Sequence, residues 1–175
     1  LATVVGAGHV CAVDPSETFV AACRLRVPGA DVRLAPAEQL PDFGRTFALA
    51  TSQLVVNFMG DPETGVRAMR DAVRAGGTVA SVVWDYADGM TMLRAFWDEA
   101  VALNPAAAQR DERNMPLCRP GELGAFWRKQ GLEQVVEEGL TIETRFTGFD
   151  DYWNPFLEKQ GPAGAYAATL PLAVR

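Results

Sequence analysis

Several groups of residues have types and spacing suited to chemistry. The run His9-Val10-Cys11-Ala12-Val13-Asp14-Pro15-Ser16 reads as a short apolar strand that ends on an acid and passes at once into a helix start. A carboxylate at the carboxyl end of the second strand of a nucleotide-binding α/β sheet is placed to accept hydrogen bonds from ribose hydroxyls. Asp14 has a competing role as cap of the helix that begins at Pro15, and its two oxygens can be divided between the roles. Ala37 and Glu38 lie in a loop after the next short strand. Glu38 is either a solvated loop acid or a group facing a ligand. Ser52 and Gln53 fall where a third strand ends. They are either a satisfied polar pair or part of a crevice at the carboxyl edge of the sheet. Trp84, Asp85 and Tyr86 follow a fourth strand at the same edge. Their rings either wall a pocket or complete the core. Phe149, Tyr152, Trp153 and Phe156 form an aromatic stripe that reads as a lid, as helix packing or as a dimer surface.

The bulk properties exclude other classes. The chain has 175 residues, is 49% hydrophobic and 22% charged, and carries a net charge of −6. These are the values of a globular domain with a real core. There is no basic stripe to neutralise phosphates, so nucleic acid is not an expected partner. No apolar run approaches the roughly 20 residues of a membrane span, and no signal peptide is visible, so the expected location is cytoplasmic. Cys11, Cys23 and Cys118 are widely spaced, and His9 is the single histidine. No zinc site or other metal centre is expected from that set. A nucleophile system would have to use His9, which opens a strand away from the ligand edge.

The elements that must hold these residues follow from local signals. Gly6-Ala7-Gly8 precedes a strand instead of following one, so it reads as a turn and not as a dinucleotide loop. Asp14-Pro15-Ser16-Glu17 starts a helix whose face carries Phe19, Val20 and Cys23, and Pro28-Gly29 ends it. Val32-Arg33-Leu34 is a short strand. Phe47 to Val56 contains another, with its later part reading as loop. Asp61-Pro62-Glu63 starts a second helix, with Val66, Met69 and Val73 as its stripe and Gly76-Gly77 as its close. Thr78 to Trp84 is an apolar strand. Helices alternating with apolar strands predict a mostly parallel sheet covered on both faces. Beyond it, Leu93, Phe96, Trp97, Ala100 and Val101 are spaced for an amphipathic helix. Gln109 to Asn114 reads as a loop, Pro120 to Gln130 as a short helix, and Leu132 to Thr144 as containing a strand.

In this order and spacing the residues resemble a class I S-adenosylmethionine-dependent methyltransferase of the small-molecule group that includes the ubiquinone and menaquinone biosynthesis enzymes. The resemblance runs from about His9 to Thr144. It rests on the strand-Asp14-Pro15-Ser16 junction, on Ala35-Pro36-Ala37-Glu38-Gln39-Leu40-Pro41, on Phe47 through Ser52-Gln53-Leu54, and on Arg74-Ala75-Gly76-Gly77-Thr78. It implies a Rossmann-like, seven-stranded α/β fold over a single domain, 1–175. Residues 1–88 would be its cofactor-binding part and residues 89–175 its substrate side. It also implies S-adenosyl-L-methionine as cofactor, with Asp14, Pro15, Ala37, Glu38, Ser52 and Gln53 around it, and Trp84, Tyr86 and Trp153 toward a small-molecule substrate.

The chain departs from the family pattern in several places. The glycine-rich loop and first strand are expected upstream of Leu1, and Leu1 to Val5 reads as the tail of the helix that follows them. The tail to Arg175 lacks a partner for the family's last hairpin, so the fold is expected to be incomplete at both ends. Pro36 stands where the adenine loop often carries an acid, and Ala48 follows Phe47 where an acid is common.

Methyl transfer from a sulfonium asks the protein mainly to position two partners and exclude water. Asp85 and Tyr86 are the nearest groups to a general base, and no catalytic residue is assigned. The alternative is a methyltransferase-like domain that binds a partner without chemistry. An NAD-dependent oxidoreductase is opposed by the order of elements around Gly6.

Overall fold

A computed structural model describes residues 1–175 as two compact units. One is Leu1–Val83 with Lys129–Glu133, and the other is Trp84–Arg128 with Gln134–Arg175.

The first unit opens with the one-turn helix α1, Ala2–Val5. Gly6 ends it at φ 85, a left-handed conformation that glycine adopts without steric cost. The Ala7–His9 turn leads to β1, Cys11–Asp14. The strand begins later than His9 because the nitrogen of Val10 closes the turn on the Ala7 carbonyl. Helix α2, Glu17–Arg26, follows. Its cap is Ser16, whose hydroxyl accepts from the Phe19 nitrogen, and not the expected Asp14. Asp14 instead accepts from the Ser16 nitrogen one turn earlier, at 2.7 Å. Strand β2, Asp31–Leu34, runs parallel to β1 in the register Cys11↔Asp31 to Asp14↔Leu34.

Strands β3, Phe47–Gln53, and β4, Val73–Val82, form a second parallel pair connected through helix α3, Pro62–Ala72. Asp61 starts α3 as its spacing predicts, accepting from the Thr64 nitrogen at 3.0 Å and the Thr64 hydroxyl at 2.6 Å. The Thr64 hydroxyl and backbone hold the Asp61 carboxyl below its usual range. The helix does not run on to Gly76-Gly77. It ends at Ala72, and Val73 already pairs with Phe47. The register then slips between Phe47 and Leu49, opposite a left-handed Gly76 at φ 74. Gly77 lies so close to the Ala48 carbonyl that a side chain has no room there. These glycines serve a bulge at the strand start, where sequence reading made them a helix stop.

The α/β order and short parallel sheets fit a Rossmann-like fold, with α2 and α3 as the crossovers. The expected seven strands are not formed. There are four, in two separate pairs. The strand expected within Leu132–Thr144 is absent. Residues 136–146 are all exposed there, and no neighbouring strand satisfies their backbone. The core of this unit joins Val20 of α2, Val32 of β2, Val56, and Val66 and Met69 of α3.

The second unit is helical. It contains α4, Thr91–Leu103, α5, Glu122–Lys129, α6, Phe149–Leu157, and α7, Gly161–Thr169. Of the α4 face predicted from Leu93, Phe96, Trp97, Ala100 and Val101, the first four are buried and Val101 is half-buried. Phe96 stacks on Phe156 of α6 at 4.7 Å and meets Tyr166 of α7 edge-on at 6.3 Å. In the segment expected as loop, Gln109–Asn114, Gln109 ends the short helical turn Pro105–Gln109, Arg110 and Asp111 are non-helical, and Glu112–Asn114 forms a further short turn. No helix is long and apolar enough to cross a membrane.

Candidate functional site

In the first unit, the candidate residues lie at or just beyond the carboxyl ends of the strands, those of β1 and β2 in one pair and those of β3 in the other; ligands bind at such ends in open α/β sheets. Asp14 is the last residue of β1, half-buried, with Oδ1 engaged by the Ser16 nitrogen at 2.7 Å. No other side-chain hydrogen bond engages its carboxylate, which leaves Oδ2 as an acceptor. Pro15 is exposed beside it. One carboxylate therefore orders the strand-to-helix turn through one oxygen, while the cap role expected of it belongs to Ser16.

Ala37 and Glu38 lie in the short helical turn Ala37–Gln39 after β2. Glu38 is not a free loop acid. Its Oε1 accepts from the backbone nitrogens of Gly60, at 3.0 Å, and Asp61, at 3.4 Å. Ala37 is part of the same junction, beside Gly65 and the Met59 side chain at the start of α3.

Ser52 and Gln53 end β3 opposite Ser81 and Val82 of β4. The hydroxyls of Ser52 and Ser81 are 2.6 Å apart. Together with Thr51, Gln53, Ala80 and Val82 they line an open groove of about 220 Å³. Its polar groups are all neutral, and the hydroxyl pair keeps one proton beyond the one shared between its oxygens. Ser81 was not singled out from the sequence. Its signal is the cross-strand register, which no local pattern reveals. A larger groove, about 630 Å³, is lined by Leu40 to Phe47 with Ala68, Asp71 and Ala72. It lies at the amino end of β3, away from the ligand edge.

Trp84, Tyr86 and Trp153 belong to the second unit. Trp84 is half-buried. Tyr86 is 7% exposed, a core residue and not an open pocket wall. Burial, with Glu112 and Cys118 adding, pushes its phenol up to about 12, so it stays protonated near neutral pH. Asp85 uses its carboxylate on the Ala87 and Asp88 nitrogens, both at 3.1 Å, and so shapes its own turn. Trp153 stacks on Phe149 at 5.8 Å and lies 6.0 Å from Phe96. The aromatic stripe of α6 is thus helix packing for Phe156, while Phe149 remains exposed.

This unit also holds a buried polar cluster with no sequence signature. Trp97 Nε1 donates to Glu112 at 2.5 Å, and Arg94 Nη1 lies 2.7 Å from Asp111 Oδ1. Asp111 also takes the Arg113 guanidinium at 2.5 Å. Burial raises the Glu112 carboxyl above its ordinary value despite Trp97 and Arg94. Burial also opposes charge on Asp111, but the Arg113 backbone and the Arg94 and Arg113 guanidinium groups outweigh it and lower that carboxyl. No three His, Cys, Asp or Glu side chains come together in a way that could hold a metal ion.

The residues at the strand ends suit a nucleoside-bearing methyl donor in part. Asp14 has an oxygen to spare for a ribose hydroxyl, and the groove at Ser52 and Ser81 offers neutral donors and acceptors. The Glu38 oxygen held by Gly60 and Asp61 is already committed. No curated protein matches the chain. A family model described as a methyltransferase domain matches residues 1–81, a little under half of the chain, and that stretch covers β1, β2, β3 and nearly all of β4.

Proposed function

We propose that this chain takes part in S-adenosylmethionine-dependent methyl transfer to a small molecule. The observation that carries this reading is Asp14, a carboxylate at the end of β1 inside the stretch that matches a methyltransferase domain. Asp14 would accept from the ribose, with Pro15 beside it. Ala37 and Glu38 would flank the base, and Ser52 and Gln53 would face the remainder of the cofactor. Trp84 and Trp153 would serve the substrate side, with Tyr86 buried in the core of the same unit. When bound, the cofactor supplies an electrophilic methyl group with a neutral thioether as leaving group. The chain's own work is then to bind, orient and exclude water. The Tyr86 phenol, pushed up to about 12, stays protonated near pH 7 and is not poised to remove a proton. Asp85 uses Oδ1 to shape its own turn. The reading suits an acceptor that needs no early deprotonation.

One observation favours a second reading, a methyltransferase-like domain that binds without chemistry. One oxygen of the Glu38 carboxylate, Oε1, is engaged by backbone groups of its own fold.

Calorimetric titration of S-adenosylhomocysteine into the chain and into Asp14→Ala tests the proposal. Micromolar binding that weakens about tenfold or more in the variant is expected, since a charge-assisted hydrogen bond contributes roughly 1.5–3 kcal/mol. Absence of binding by the folded chain would overturn the cofactor assignment.

A further inference from the structure

Asn57 is the most anomalous residue of the first unit. Its side chain is 6% exposed, and neither its amide nitrogen nor its amide oxygen has a hydrogen-bond partner. Buried carboxamides in folded proteins are nearly always satisfied, so an orphaned one calls for a reason. A second anomaly lies three residues earlier. Leu54 has φ 58, the left-handed region that a leucine rarely adopts. Its nitrogen still donates to the Val82 carbonyl at 2.8 Å, so the chain leaves the β3–β4 ladder and turns abruptly. That turn drives Val56 and Asn57 inward while Val55 and Phe58 stay exposed. Unfavourable backbone geometry held in place beside a strand end is a recurring property of ligand sites.

The same segment is fastened to the turn after β2. Glu38 accepts from Gly60 and Asp61, at the far end of the loop that carries Asn57. One oxygen of that acid thus anchors the loop that bears the carboxamide.

From this we infer that Asn57 reads the adenine of the methyl donor, an inference that rests on the cofactor reading above. A carboxamide presents one donor and one acceptor side by side. Adenine carries the complementary pair, an exocyclic amine next to a ring nitrogen, and asparagine meets that edge with two hydrogen bonds. The pairing is neutral on both sides, which suits a site closed to water. For the base to reach the amide, the short turn Val56–Phe58 would have to move aside; Phe58 within it and Val55 before it already meet solvent.

The test uses the whole chain and two variants, Asn57→Leu and Asn57→Ala, with S-adenosylhomocysteine as probe and two readouts. Thermal unfolding without ligand comes first. An amide kept for a ligand is a burden on the empty fold, so Asn57→Leu should melt no lower than the parent chain. Calorimetric binding comes second, and both variants should lose tenfold or more in affinity. A clearly lower melting temperature for Asn57→Leu assigns the amide to the fold and overturns the inference. Binding by either variant within twofold of the parent overturns it too, and leaves the cofactor reading standing. If the parent chain itself fails to bind, the cofactor reading and the inference fall together.

Discussion

Glu38 Oε1 lies 3.0 Å from the nitrogen of Gly60, so a carboxylate in the turn after β2 holds the loop that enters α3. The contact joins segments 22 residues apart and is shared with the Asp61 nitrogen. It ties the β1–β2 pair to the β3–β4 pair, which share no strand ladder. Glu38→Ala should therefore cost about 1 kcal/mol, the net value of a hydrogen bond of this kind at a partly exposed site. Glu38→Gln keeps an acceptor oxygen and should lose less. Urea unfolding of the two variants checks this. Equal losses would mean that charge, and not acceptor geometry, holds the loop.

The Ser52 and Ser81 hydroxyls, 2.6 Å apart, make a second long-range tie. Either single alanine leaves the partner hydroxyl half-buried and short of one bond. Each should cost about 1 kcal/mol. The double variant removes both polar groups and should cost less than the sum, a coupling of roughly 0.5 kcal/mol or more. A double-mutant cycle by chemical denaturation measures it. Strict additivity would show that the two hydroxyls do not share a bond in solution.

In the second unit, Phe96 joins three helices, stacking on Phe156 and meeting Tyr166. It is 6% exposed. Phe96→Ala should destabilise that unit by about 3–5 kcal/mol, through lost transfer energy and a residual cavity. Phe149→Ala should cost far less, since Phe149 is exposed. Circular dichroism melts of the two variants give the comparison, and similar melting temperatures would remove Phe96 from the core.

Local chemistry made much of this fold legible. Asp61-Pro62 announced a helix start because capping and proline geometry act within one turn. The α4 face was readable because a helix repeats its apolar positions over a few residues. Asp14 was readable at the end of its strand, although Ser16 took over the cap. What stayed hidden depends on partners distant in sequence. Ser81 gains a role only through register with Ser52. Gly76-Gly77 looks identical as a helix stop and as a strand bulge. Leu132 to Thr144 has residues fit for a strand, yet a strand forms only where a neighbour offers a ladder. Asn57 carries no signal at all until its burial is known.

Glu112 sets the direction of the pH response in the second unit. Its side chain is buried, accepts from Trp97 Nε1, and faces Asp111, Arg94 and Tyr86. Burial raises its carboxyl above the ordinary value of 4.5, so the fold favours the protonated form. Its contribution to stability is present below that value and is lost as pH rises through the raised one. Asp111 acts in the opposite sense. Its carboxyl is lowered from 3.8, so its contribution is present above that value and is lost as pH falls. The second unit should therefore weaken at both ends of a titration from about pH 3 to pH 8, with Glu112 responsible for the upper arm. Glu112→Gln keeps an oxygen for Trp97 and removes the titration. It should flatten the upper arm while leaving the acid arm in place. Thermal melts across that range, read by tryptophan fluorescence, report the arms directly because Trp97 is the hydrogen-bond partner. An unchanged upper arm in Glu112→Gln would show that another group governs it.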